Sequence, residues 1–228
     1  MNSKADLHIS QFEAPEILFD RKLPQEFYLR ECLTIARDLL GKALVRTDGK
    51  KVYAGIIVET EAYKGFMDAA AHSYGGKTRR NEAMFEKGGI SYVYFTYGNH
   101  YCFNVVVGPK DVAHAVLIRA IEPLLGIDNM VWNRGTDDIF NLASGPGKLT
   151  AAFDIDKRLN GFDLRSDVIS INEAILHRKL RVMKSKRIGI SKNTEKLWRF
   201  YVKDNPFVSG ISLRSILKKK NVHSVTGK

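Results

Sequence analysis

Two acids, Glu59 and Glu61, stand two residues apart in Val58-Glu59-Thr60-Glu61-Ala62-Tyr63, directly after the apolar run Gly55-Ile56-Ile57-Val58. The β-branched content of that run is that of a buried strand. If the strand continues, Ile57, Glu59, Glu61 and Tyr63 share one face, and Ile56, Val58, Thr60 and Ala62 share the other. Carboxylates about 7 Å apart on one face repel each other. Repulsion and burial both raise a carboxylate pKa, and a raised carboxylate is suited to accepting a proton. A polar loop containing Ala70-Ala71-His72-Ser73 follows. On its own the acidic stretch also fits a solvated strand end.

The whole chain bounds what such a site could serve. Its 228 residues carry a formal net charge of +11. An excess of that size favours a polyanionic partner, with nucleic acid ahead of an anionic membrane surface. No apolar run approaches a membrane span, and Met1-Asn2-Ser3-Lys4-Ala5-Asp6 lacks the apolar centre of a signal peptide. The two cysteines, Cys32 and Cys102, lack metal-ligand or redox spacing. We expect a reduced intracellular protein without a disulfide framework.

The elements that position the acids follow in order. Residues 1–20 read as an N-terminal arm, 21–210 as one domain, and 211–228 as a basic, frayed tail. A helical pattern starts near Pro24 and runs to Leu40. Thr34 is the expected cap of a second short helix, and Gly41 is its stop. Ala43 to Arg46 and Val52 to Ala62 read as strands around the turn signal Asp48-Gly49. Residues 64–90 form a long connection punctuated by Gly75, Gly76, Gly88 and Gly89 and carrying Lys77, Arg79, Arg80 and Lys87. Connections of this length and charge often carry function.

Residues 91–107 are dense in tyrosine, phenylalanine and valine around Gly98-Asn99, a strong hairpin signal. Further strands are expected at Ala115 to Ile118, Val168 to Ile171, Arg187 to Ile190 and Arg199 to Val202, with a helix near Leu125. Ser144-Gly145-Pro146-Gly147-Lys148 reads as a tight loop and helix start. Its glycine spacing does not match a nucleotide-binding loop. The expected fold is α+β: a curved, mainly antiparallel, open barrel-like sheet with helices at its edge and a protruding β-hairpin.

Taken together, several segments resemble the alkyladenine (3-methylpurine) DNA glycosylase family. They are Leu39 to Arg46, Ile57 to Tyr63, Ala70 to Ser73, Arg80-Asn81 with Met84-Phe85, Tyr92 to Tyr94, Tyr97-Gly98 and Asn104. The resemblance continues through Leu117 to Pro123, Ser144 to Leu149, Arg187 to Ile190 and Arg199 to Val202. It spans roughly residues 30–209 in one order. It implies a DNA repair enzyme that hydrolyses the bond between a damaged purine and deoxyribose in duplex DNA. Such an enzyme acts without metal, other cofactor or covalent intermediate, and leaves an abasic site. Its location would be the nucleoid or cytoplasm of a bacterium or the nucleus of a eukaryote, and one copy suffices for the chemistry.

The resemblance also assigns roles. Glu61 would be the general base, with Arg119 orienting it and holding the flipped nucleotide. Tyr63, His72 and Tyr94 would form the base pocket, and Asn104 would reject guanine by crowding its exocyclic amino group. Tyr97 would plug the vacated stack, and Arg80 and Lys148 would contact phosphates. Without the resemblance, His72 also fits a loop histidine, Tyr94 a core residue, Arg119 a strand-end charge, and the whole chain a non-catalytic binder of distorted duplex. Physically, a base in a duplex must be flipped out before it is reached, at a cost of a few kcal/mol. Stacking on aromatics returns about 1–3 kcal/mol per base.

The hairpin register offers a check. A two-residue loop at Gly98-Asn99 would put Tyr94 and Asn104 on opposite faces. A three-residue loop, Gly98 to His100, would pair Tyr97 with Tyr101 and Tyr94 with Asn104. We expect the odd-length loop or an equivalent bulge.

Overall fold

The computed structural model describes residues 21–96, 98–176 and 179–210. The Tyr97 expectation, the N-terminal arm and the basic tail therefore lie outside the described residues. The acidic stretch occupies the end of the central strand. β1 (Ala43–Thr47) and β2 (Val52–Tyr63) form a hairpin closed by Asp48, whose carboxylate accepts from the Lys50 and Lys51 amides. β2 is buried except at its ends, as its apolar first half dictates. It pairs with β5 (His114–Leu125) along one edge. On its other edge it pairs first with β1 and then, from Glu59 to Glu61, with β8 (Arg199–Val202).

The remaining strands are β3 (Ser91–Thr96), β4 (His100–Val107), β6 (Ile169–Asn172) and β7 (Val182–Ser185). The sheet runs β3-β4-β5-β2-β1-β6, with β7 and β8 branching from β2, and every pairing is antiparallel. It is a curled half-barrel, and the fold is α+β. Short helices cover it: α1 (Gln25–Tyr28), α2 (Cys32–Asp38), α3 (Ile127–Arg134), α4 (Ile139–Leu142) and α5 (Pro146–Ala152). Ile35, Ala36 and Leu39 bring α2 onto the sheet core, and Thr60 Oγ1 donates to the Ala36 carbonyl at 2.6 Å. α5 begins with Pro146 at its first turn, where the missing N–H costs nothing.

Several details differ from the sequence expectations. Thr34 does not cap α2; Glu31 does, accepting from the Thr34 amide at 2.9 Å, because its longer side chain folds back over the first turn. Arg187 to Ile190 is not a strand. β7 ends at Ser185, and Gly189 takes a positive φ of 75°, which turns the backbone out of extended pairing. The hairpin has the expected odd length, but it is shifted. Thr96 faces His100 and Tyr94 faces Cys102, so Asn104 pairs with Tyr92 rather than Tyr94. Since 102 and 104 lie two residues apart, Tyr94 and Asn104 still share a face.

Candidate active site

The β2–β5 ladder carries the acids. Pairing slips by one residue at Glu59, whose register partner is Ala120, and recovers at Thr60, which pairs with Ile118, so the irregularity falls beside Arg119 of β5. Arg119 Nε donates to Glu59 Oε1 at 2.9 Å, and its Nη1 stands 3.3 Å from Glu61 Oε2. Both glutamates are fully buried. Their shared face, expected from alternation, is bridged by one guanidinium rather than left to repel.

Glu61 has three donors. Tyr63 donates its phenol to Oε2 at 2.9 Å, Arg119 approaches the same oxygen, and the Ile188 amide donates to Oε1 at 2.8 Å. Burial pushes the Glu61 pKa up. Arg119, the Ile188 amide and the Tyr63 phenol pull against that, and the Glu59 charge adds a further upward push. The net direction is above the ordinary carboxylate range, which is what a proton acceptor requires. A carboxylate oxygen can accept two hydrogen bonds, so Oε1 keeps an acceptor site beyond Ile188.

In front of Glu61 opens a cavity of about 460 Å³, in the size range of small-molecule sites. Tyr63, His72, Tyr92, Tyr94, Cys102, Asn104, Leu117, Arg119 and Ile188 are part of its lining. Glu61 is not; it lies behind Tyr63 and Arg119.

Each aromatic is placed by a named contact. His72 Nδ1 lies 3.0 Å from the Tyr92 hydroxyl, and the His72 and Tyr94 rings meet edge-on at 4.3 Å between centroids. Burial and the nearby Arg80 charge lower the His72 pKa, which favours neutral imidazole. Asn104 Nδ2 donates to the Tyr92 carbonyl at 3.1 Å, which fixes how its amide faces the cavity. The structure thus brings Tyr63, His72, Tyr94, Asn104 and Arg119 to one cavity, with Glu61 one layer behind.

The two expected phosphate contacts lie outside the cavity lining. Arg80 is exposed, donates to the Phe95 carbonyl at 2.9 Å and sits 5.9 Å from the Tyr94 ring centre. That ties the basic connection to the hairpin. Lys148 is half-buried, with its ammonium against Asn141 Oδ1.

Sequence reasoning missed Arg187, Asp68 and the Ile188 amide. Arg187 and Asp68 form a fully buried, two-pronged ion pair, with Arg187 Nη2 at 2.8 Å from Asp68 Oδ1. Arg187 also donates to the Ala62 carbonyl at 2.9 Å. Its guanidinium lies 4.6 Å from the Tyr63 ring centre and 5.1 Å from that of Trp198. It thereby fixes both the Tyr63 ring and the backbone that gives Glu61 its amide. Arg187 to Ile190 falls within the family resemblance but reads as a strand; the local signal against that reading is Gly189, which interrupts Ile188-Gly189-Ile190.

The family described as Methylpurine-DNA glycosylase (MPG) matches residues 26–206. The chain belongs to this family. A glycosylase relative from Prosthecochloris aestuarii is 45% identical over 199 residues, which is 87% of this chain and 96% of that protein. One from Carboxydothermus hydrogenoformans is 47% identical over 188 residues, 82% of this chain and 98% of its own. Both carry the name "Putative 3-methyladenine DNA glycosylase". Among the described residues, no helix of this glycosylase family member is long and apolar enough to cross a membrane.

Proposed function

We propose that this DNA glycosylase flips an alkylated or deaminated purine (the 3-methyladenine, 7-methylguanine and hypoxanthine class) out of duplex DNA and hydrolyses its N-glycosidic bond. One copy of the chain acts inside the cell, without cutting the strand. The observation that carries this reading is a buried carboxylate of raised pKa, Glu61, set behind a tyrosine- and histidine-lined cavity and steered by Arg119.

The flipped base lies among Tyr63, His72 and Tyr94. An alkylated purine is cationic, and electron-rich ring faces attract it. Tyr97 fills the space it vacates. A water reaches the open acceptor site on Glu61 Oε1 by passing Tyr63 and Arg119. As the bond from C1′ to the purine nitrogen breaks, its electrons go to the departing base. The water oxygen bonds C1′, and its proton goes to Glu61. The purine's own positive charge is neutralised as it leaves, so an alkylated base needs no added proton. Arg119 orients Glu61 and faces the sugar-phosphate. Arg80 and Lys148 contact the DNA backbone.

The test is base release from a duplex oligonucleotide with a single 7-methylguanine or hypoxanthine. Wild type is expected to release it. Glu61→Gln is expected to lose about 10²–10⁴-fold in single-turnover rate while still binding the duplex. Equal rates in the two proteins would sink the mechanism.

A further inference from the structure

Glu59, like Glu61, is fully buried and stands outside the cavity lining. Four donors fill its carboxylate. Oε1 takes Arg119 Nε at 2.9 Å, Arg199 Nε at 2.6 Å and the Ser209 hydroxyl at 2.8 Å; Oε2 takes the Ser209 amide at 2.7 Å. Three donors, two of them arginines, saturate Oε1, the oxygen that meets Arg119, so that oxygen has no acceptor site left for a water. It can, however, set the position of a guanidinium. Arg119 is planar, so a bond at Nε fixes where its other nitrogens point.

The consequence shows in the unequal distances. Arg119 sits 2.9 Å from Glu59 but 3.3 Å from Glu61. Charge-assisted bonds of this type are normally about 2.7–2.9 Å. Glu59 therefore has the better bond, and Glu61 the longer one. We infer that Glu59 is a positioning residue that withholds Arg119 from Glu61, and that Ser209, on the segment following β8, sets the strength of that hold.

The Ser209 end is not loose. Asn205 Nδ2 donates to Glu122 Oε2 at 2.8 Å, Asn205 Oδ1 accepts from the Phe207 amide at 2.9 Å, and Val208 is buried in the main core. Arg199 is held by Glu59 and by the Ser185 hydroxyl at 2.9 Å, and its guanidinium lies over Tyr201. Two glutamates and two arginines thus balance in a buried cluster whose Arg119 edge reaches the cavity. Its balance decides how basic Glu61 is.

The charged and titratable groups facing Glu61 are Tyr63 and Glu59 from β2, Arg119 from β5, Cys102 from β4, Arg199 from β8 and Arg187 beside the Ile188 amide. Removing the Glu59 charge acts on Glu61 in two ways of the same sign. It frees Arg119 to close on Glu61, and it removes a repelling neighbour; both lower the Glu61 pKa. A weaker base results. Ser209→Ala acts oppositely: it leaves Glu59 less neutralised, which strengthens its pull on Arg119 and its repulsion of Glu61.

This inference rests on the glycosylase reading. The test is the pH dependence of single-turnover release of 7-methylguanine from duplex DNA, because that cationic base leaves without a proton donor. For Glu59→Gln we expect the neutral-pH rate to fall about 10-fold, the acidic limb to move to lower pH, and duplex affinity to hold. For Ser209→Ala the limb moves to higher pH. A merely structural role would reduce the active fraction in both variants and leave both limbs in place, which overturns the inference. If Glu59→Gln fails to fold, Ser209→Ala decides: an upward shift supports the inference, and an unmoved or lowered limb overturns it. Failure of the wild type to release base would instead overturn the glycosylase reading itself.

Discussion

Tyr63 donates its phenol to Glu61 Oε2 at 2.9 Å from within the same strand, two residues on. One side chain therefore both walls the cavity and holds the acid behind it. Hydrogen bonds to the charged form lower a carboxylate pKa, and this phenol opposes the upward push that burial gives Glu61. Tyr63→Phe keeps the ring but removes the donor, so the Glu61 pKa rises further. The acidic limb of the single-turnover pH profile should shift upward. At a pH well above that limb the loss should be modest, because the ring still stacks. A profile superimposable on wild type would show that the bond does not bear on Glu61.

The Arg187–Asp68 pair lies under the same tyrosine. Both side chains are fully buried. Removing one partner of a buried pair strands the other charge and typically costs about 3–5 kcal/mol. Asp68 also accepts from the Lys64 and Ala70 amides, at 3.3 and 3.1 Å, so its loss unpins the turn leading to His72. Asp68→Ala should lower the urea midpoint by that equivalent with little change in the slope of the transition. The folded fraction should also be slower, because the Ile188 amide loses its anchor. A variant with wild-type stability would mean that the pair is replaced at no cost.

The parts of this architecture legible in the chain were those coded locally. Val52 to Ala62 and the stretch Ser91 to Val107 are read as strand and hairpin from their β-branched and aromatic content, and alternation alone puts Glu59 and Glu61 on one face. Local code fails at Arg187 to Ile190. The Ile188 amide that a ladder would use goes to Glu61 instead, across 127 residues of chain. The same holds for Arg187 and Asp68, 119 residues apart, which no spacing rule connects. The hairpin was misjudged by one step because Gly98 was expected to open the loop. It lies between the paired Thr96 and His100, with φ at 70°.

α5 grips that hairpin at its loop end. Thr150 Oγ1 donates to the Tyr101 carbonyl at 2.9 Å, and a Cβ on Gly147 would stand 2.6 Å from the His100 ring and 3.1 Å from its Cβ. His100 forms the last pair before the connection that carries Tyr97. Gly147→Ala must push the hairpin off α5, at a cost of about 1–3 kcal/mol for overpacking. Release from duplex DNA should fall, while release from a single-stranded lesion, which has no stack to plug, should hold. Equal losses on the two substrates would show that the hairpin's seat does not serve flipping.

Asn104 offers the sharpest test of selectivity. Its amide nitrogen is tied to the Tyr92 carbonyl at 3.1 Å, so the side chain cannot swing away from a purine in the cavity. In the proposed role it crowds an exocyclic amino group, which 7-methylguanine carries and hypoxanthine lacks. Asn104→Ser shortens the side chain and relieves that crowding. Steric discrimination of this size is worth about 10–200-fold. The ratio of 7-methylguanine to hypoxanthine release should therefore rise at least about 10-fold, at the low end of that range. The gain should come mainly from the amino-bearing base, since hypoxanthine has nothing for Asn104 to exclude. An unchanged ratio, with both bases still released, would remove Asn104 from the selectivity of the pocket.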